Sequence, residues 1–219
     1  MDHVATADLF KQANEAAKAG ETERAINLYR KLVSEFPESQ YAPVALFNVA
    51  AIYDGRSDLD ATIATLRELV KAYPAARESI DGHLYIAALQ TDHDKFADAL
   101  ATVDEVLQRQ NLTYADRIEA FARKGYVLIE LHRFEDADTA LTAAVAEWRK
   151  VTRLDDPYYI AMAHYYRGEL AHRKFIEAPA RLPDDVLVAD LDKKRVLAVE
   201  AYDRWKDALG FKQAYWATA

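Results

Sequence analysis

The stretch SEFPESQYAPVAL, residues 34–46, sets Pro37 and Pro43 between two apolar segments, and a near-copy, VKAYPAARESIDGHL, follows 37 residues later. A proline just past an apolar run stops a helix, whereas one in the first turn of the next helix costs little, because that N–H has no intrahelical partner anyway. Ser39 lies where a side chain can cap the following helix. The stretch therefore reads as a seam between two helical hairpins, and its recurrence as the period of a repeat.

Laying the seams on each other carries Leu9, Phe10, Ala13, Ala25, Tyr29, Leu32 and Pro37 onto Leu46, Phe47, Ala50, Thr62, Leu66, Leu69 and Pro74. The same register continues to His83, Leu84, Ala87, Ala99, Val103, Val106 and Asn111. One residue further on, it reaches Phe121, Ala122, Gly125, Ala137, Leu141 and Ala144. In each unit a small residue of the first helix and a small residue of the second are 12 apart: Ala13 and Ala25, Ala50 and Thr62, Ala87 and Ala99, Gly125 and Ala137. Antiparallel helices with axes ~8–10 Å apart need little side-chain bulk where they cross, so the fixed spacing marks those crossings. Around them Ile26, Tyr29, Leu32 and Val33, or Ile63, Leu66, Leu69 and Val70, recur at the spacing of an amphipathic helix. KAGETE, DGRSDLD, TDHDKFAD and LHRFED form the turns, with Gly20 suited to a left-handed cap.

Composition agrees with an all-helical chain: 219 residues, six glycines, six prolines, and no alternating Val/Ile/Thr strand pattern. A formal charge of −8 disfavours a nucleic-acid partner, whose phosphates demand clustered Lys and Arg. With no cysteine, disulfides, thiolate metal sites and cysteine nucleophiles are excluded, which suits cytoplasm and bacterial periplasm alike. No run of 18 apolar residues predicts a membrane span, and MDHVATADLFKQANEAAKAG lacks the pattern of a signal peptide.

A helical hairpin with small residues at its eighth and twentieth positions, a large one at the twenty-fourth and Pro at the thirty-second resembles the tetratricopeptide repeat, TPR. The usual fourth-position aromatic is replaced by Leu9, Leu46 and His83 and kept as Phe121. The resemblance implies an all-α fold, a right-handed solenoid of antiparallel hairpins over 1–219, with repeats at 6–39, 40–76, 77–113, 114–150 and 156–210. In the fifth, Gly168 is the first small residue, and Ala198, Tyr202 and Trp205 copy Ala25, Tyr29 and Leu32, with an insertion at about 175–190 that includes a loop, IEAPARLPDDV. A long helix is predicted from about Asp185 to Leu209. FKQAYWATA, within 211–219, reads as the opening of a further, truncated unit. The phrase YRKLVSEFPESQYAPVALFNVAAIY also resembles the TPR dialect of bacterial envelope proteins, the BamD-type outer-membrane assembly lipoproteins and CpoB-type coordinators, which act as periplasmic scaffolds.

Candidate chemistry is sparse. Glu169 and His172 make the E-x-x-H spacing of di-iron bundles, but such a site needs a second copy and more carboxylates, which do not occur; packing or groove roles are the better reading for His164 and Glu169. Asp92, His93 and Asp94 fall in a turn and read as caps. His83 reads as a half-buried, hydrogen-bonded residue, and DLDKKR at 190–195 as a solvated helix face. Asn111-Leu112-Thr113 matches a glycosylation sequon by chance. No phosphate loop, H-E-x-x-H or G-x-S-x-G occurs, so no catalytic residue, metal or cofactor is predicted.

In TPR proteins the first helices line a concave groove, and the resemblance places a partner there. Fifth positions are Phe10, Phe47, Leu84, Ala122 and Tyr165; ninth positions are Asn14, Ala51, Ala88, Tyr126 and Glu169. Only Asn14 fits the Lys/Asn/Arg clamp of chaperone-tail binders. The predicted groove, Phe10, Asn14, Phe47, Leu84, Tyr126, Tyr165 and Glu169, instead suits an apolar or amphipathic segment of a protein partner, unless the stripe is spent on internal packing. Tyr158, Tyr159, Tyr166, Trp205, Tyr215 and Trp216 add aromatics near the C-terminal end, to meet a following unit or a partner. The expected function is a non-enzymatic protein–protein scaffold in a bacterial envelope complex for surface assembly, motility or envelope maintenance, periplasmic or outer-membrane-associated. The alternatives are a cytoplasmic peptide sensor or adaptor, and an enzyme accessory or hidden hydrolase.

Overall fold

The computed structural model describes the backbone of residues 2–218 and the side chains of residues 5–216. Among the described residues there are eleven helices and no strand. Two compact units divide the chain, Met1–His93 and Asp94–Ala219. The first holds α1 (Asp2–Lys18), α2 (Thr22–Glu35), α3 (Ala42–Asp54), α4 (Leu59–Ala72) and α5 (Arg77–Asp92). There α1 packs on α2 and α3 on α4 as hairpins, α2 stacks on α3, and α5 lies against α3 and α4. The second holds α6 (Phe96–Leu107), α7 (Tyr114–Glu130), α8 (Phe134–Trp148), α9 (Tyr158–Glu177), α10 (Asp184–Gly210) and α11 (Ala214–Thr218). Here α7/α8 and α9/α10 are hairpins, α6 packs on α7, α8 on α9, and α11 on α9 and α10. The division falls at the turn between α5 and α6, inside the span 77–113 predicted as one repeat.

The seam that opened the reading behaves as its residues dictate. Phe36 and Tyr73, each forced out of the helical region by the proline that follows, end α2 and α4 at φ −135° and −128°. Pro43 sits in the first turn of α3, fully consistent with its missing donor. Ser39 stands two residues ahead of the N-cap, Tyr41, and its Oγ accepts the Tyr41 N–H at 3.2 Å. At the head of α7, Thr113 and Asp116 form a reciprocal capping box, which is the structural use of the Thr in the chance sequon.

The first helices of the first four repeats, α1, α3, α5 and α7, end alike, whereas α9 ends at Ala178 with φ −62°. Gly20, Ser57, Asp94 and His132 all have positive φ (76°, 59°, 57° and 57°), and they recur in the register of the repeat. Glu21 N–H donates to Ala16 O, Asp58 N–H to Tyr53 O, and Arg133 N–H to Leu128 O, the six-to-one bond of a Schellman cap. Only the first unit supplies glycine, although Gly55 stands two residues from Ser57 and keeps an ordinary helical φ of −59°. Ser57→Gly is therefore expected to raise stability by roughly 0.5–1 kcal/mol in chemical denaturation, since a left-handed conformation penalises any Cβ; no gain would mean that the serine side chain offsets that strain.

The small residues are interior: Ala13, Ala25, Ala50, Thr62 and Ala137 have no exposed surface. Their closest opposite neighbour is not always the paired small residue. A Cβ on Gly125 would lie 2.4 Å from the Leu141 side chain, four residues past Ala137. One turn along the second helix, a large residue thus fills the space the small one leaves.

The fifth hairpin corrects the sequence register. Its Gly168 abuts Trp205, whose Cδ1 a Cβ would approach to 2.3 Å. Trp205 therefore takes the place held elsewhere by Leu141, and the small residue one turn before it is Ala201, 2% exposed. Ala198 and Tyr202, predicted to face inward, are exposed instead. Ala198-Tyr202-Trp205 and Ala201-Trp205-Ala208 have the same helical spacing, so only the partner across the gap tells them apart. The insertion at 175–190 also proves mostly helical: α9 runs to Glu177 and α10 starts at Asp184, leaving 178–183 as the loop.

The stretch DLDKKR is a second correction. Asp190 is 2% exposed and receives the Arg181 Nε–H and Nη2–H, each at 2.9 Å, and the Arg181 backbone N–H at 3.1 Å. Those bonds hold the Asp190 carboxyl below its usual range. Lys194 donates to Phe175 O and Ala178 O at 2.6 and 2.7 Å. A charged run that looked solvated in fact pins the 178–183 loop and the end of α9 to α10.

Candidate functional site

On a helix, positions five and nine share one face, four residues apart. In the first unit Phe10 on α1 stacks on Tyr41 (centroids 5.0 Å, 21° between planes) and tilts against Tyr29 at 5.9 Å. Asn14, one turn on, accepts the Tyr29 hydroxyl at 2.5 Å, while that hydroxyl accepts from Asn48 Nδ2 at 3.2 Å. Tyr29 itself is buried, and burial raises its phenol pKa. Phe47 on α3 meets Tyr85 of α5 at 6.1 Å, and the Tyr85 hydroxyl donates to Asp54 Oδ2 at 2.5 Å. Burial, then that bond and the charge of Asp54, drives the Tyr85 pKa upward. Phe10 and Phe47 lie in separate apolar clusters rather than one continuous patch. Leu84 is 4% exposed, so it offers almost no surface to a ligand, unlike the half-buried groove residues it was grouped with.

In the second unit Tyr126 of α7 and Tyr165 of α9 are drawn together through Tyr166, at 5.0 and 5.2 Å. Trp216 of α11 then seats on Tyr165 and Tyr166 at 5.3 and 5.5 Å and is 6% exposed. α11 thereby packs on α9 and α10; Ala219, the last residue, lies outside the described residues. Glu169 and His172 share a cavity of about 390 Å³ with Phe134, Leu170, Arg173 and Ile176, where the Arg173 guanidinium lies 3.9 Å above the Phe134 ring. Among the described residues no three His, Asp or Glu side chains gather as a metal site.

Phe10, Asn14, Phe47, Tyr126, Tyr165 and Glu169 all remain half-buried: one side of each is engaged by its own unit and the other meets solvent. The sequence reading missed Tyr41 and Tyr85 as ring partners of this face. Tyr85 occupies the sixth position, as Tyr166 does, and its signal was only that an aromatic follows the fifth position. His83 is half-buried, and His93 Nδ1 bonds Leu89 O at 2.8 Å in the turn after α5. No helix among the described residues is long and apolar enough to cross a membrane.

Residues 2–156 match the family model described as a tetratricopeptide repeat-like domain. The chain belongs to that family. Among solved structures, MamA 41-end from Desulfovibrio magneticus RS-1 is similar at TM-score 0.60 and 12% identity, with 94% of this chain and 95% of that one covered. A tetratricopeptide repeat protein from Parabacteroides merdae is similar at TM-score 0.57 and 15% identity, covering 94% and 74%. Identities this low carry the fold alone. No curated protein matches. The TPR-like chain is thus an all-helical protein of a fold that serves protein–protein interaction.

Proposed function

We propose that this TPR-like protein is a non-enzymatic scaffold that holds an apolar or amphipathic segment of a protein partner against its first-helix faces. The observation that carries this reading is the set of half-exposed rings, Phe10 and Phe47 in one unit and Tyr126 and Tyr165 in the other, each fixed by aromatic neighbours and left with one edge in solvent. Rings already immobilised lose little side-chain entropy on binding, and each well-packed aromatic contributes ~1–3 kcal/mol to an interface. The net charge of −8 favours partners other than nucleic acid. An envelope complex concerned with surface assembly, motility or envelope maintenance, in the periplasm or at the outer membrane, is the setting favoured by the dialect of the first 75 residues.

The test is a library of amphipathic-helix peptides screened against the purified protein by fluorescence anisotropy. Binders in the micromolar range are expected, and Phe47→Ser with Tyr126→Ser should weaken them about tenfold or more while helical circular dichroism is retained. A library without binders, or binding that ignores both substitutions, overturns the assignment of this face. Fractionating cells that express the full gene product tests the compartment separately, a cytoplasmic protein counting for the sensor or adaptor alternative.

A further inference from the structure

The face of α10 opposite α9 carries a row of exposed hydrophobic side chains interleaved with exposed charges. Asp190, Ala201 and Ala208 are buried on its inner side, whereas Val188, Leu191, Val196, Val199, Tyr202 and Leu209 are each 51–63% exposed. These six lie along one side of the helix over ~30 Å at 1.5 Å per residue. We propose that this face is the docking surface for a second copy of the chain, bound antiparallel about a two-fold axis at Val199.

Area and charge both favour a second copy. At the exposures seen, the six side chains present on the order of 600 Å², with Asp192, Arg195, Asp203 and Lys206 interleaved among them. Doubled, this is about 1,200 Å², the low end of specific interfaces, so the patch suffices as a dimer interface when met by itself. The exposed charges along the stripe alternate as Asp192, Arg195, Asp203 and Lys206. An antiparallel two-fold centred on Val199 brings Asp192 level with Lys206 of the other copy and Arg195 level with its Asp203, while Val199 meets itself. A parallel pairing would bring each charge against its own kind, which is unfavourable. Within one chain, Arg195 and Asp192 stand 3.7 Å apart and largely exposed, a pairing weak enough to be exchanged on association.

Sedimentation equilibrium on residues 1–219 between about 1 and 100 µM is expected to show a monomer–dimer equilibrium, within the range of a small interface. Val199→Glu should leave only monomer. Lys206→Asp places two carboxylates at one level and should raise the dissociation constant about tenfold or more, and adding Asp192→Lys should restore it to within a few-fold of the starting protein. A monomer across the whole range, a dimer indifferent to Val199→Glu, or a charge swap that fails to restore association each overturns the proposal. The charge variants change exposed residues only, so they remain informative should Val199→Glu fold poorly by circular dichroism.

Discussion

Gly168→Ala is expected to lower the stability of the C-terminal unit by about 2 kcal/mol, because the added Cβ would meet the Trp205 indole at 2.3–2.4 Å. The sign is what makes the experiment decisive. In an open helix interior the same change stabilises by ~1 kcal/mol, since alanine restricts the unfolded backbone more than glycine does. Trp205 cannot give way cheaply: it is a rigid ring seated on α9, against Gly168 and against His172 one turn further on, whose ring lies 5.3 Å from it. In a Trp205→Ala background the obstruction is gone, and Gly168→Ala should turn stabilising by about 1 kcal/mol. Urea denaturation of the four proteins of this cycle reads the coupling directly. Equal effects of Gly168→Ala in both backgrounds would dismiss the contact and, with it, the corrected register of the fifth hairpin.

Acidification is expected to cost the second unit about 3 kcal/mol through His164. This ring is 5% exposed, edge-on to Trp148 at 6.1 Å and beside Phe211 at 5.5 Å. Burial pushes its pKa down to about 4; Asp207 opposes the shift from 3.6 Å, and Arg167, Arg149 and Arg204 reinforce it by repelling an imidazolium. The folded pKa lies below the unfolded value of about 6.5, so the unfolded chain takes up the proton first as pH falls. The contribution is complete above pH ~6.5 and is lost progressively down to about pH 4, at ~1.4 kcal/mol per unit. Because carboxylates titrate over the same interval, the measurement is a difference: denaturation free energies of the natural protein and of His164→Phe at pH 7.5 and pH 4. Phenylalanine keeps the aromatic packing and should flatten the acid limb. Parallel curves for the two proteins would deny His164 this role.

Much of the fold was legible because the repeat is written in the residues that have least freedom. Pro37 and Pro74 cannot continue a helix, and the alanines at the crossings cannot be larger without separating the axes; both constraints are local or nearly so, and both recur. The left-handed caps were legible only at Gly20. At Ser57 and His132 the backbone adopts the same conformation because the six-to-one bond and the packing of the hairpin outweigh the preference of the residue, and Asp94 shares that conformation. The candidate binding face was half legible. Positions five and nine were found by counting, but whether each is open depends on what lies opposite: Leu84 is covered, and Phe47 stays half open beside Tyr85.

The sequence by itself determined the helical hairpins, their period and their turns, since these follow from proline geometry, small-residue spacing and helical periodicity along the chain. Only the tertiary structure decided which face of α10 is interior, why Asp190 is buried while Tyr202 is exposed, and that Trp216 fills the aromatic cluster of α9. A helix whose two sides carry equally apolar spacings has no preferred side until another helix leaves a gap of definite shape. Gly168 leaves that gap, and Trp205 is the side chain that fits it.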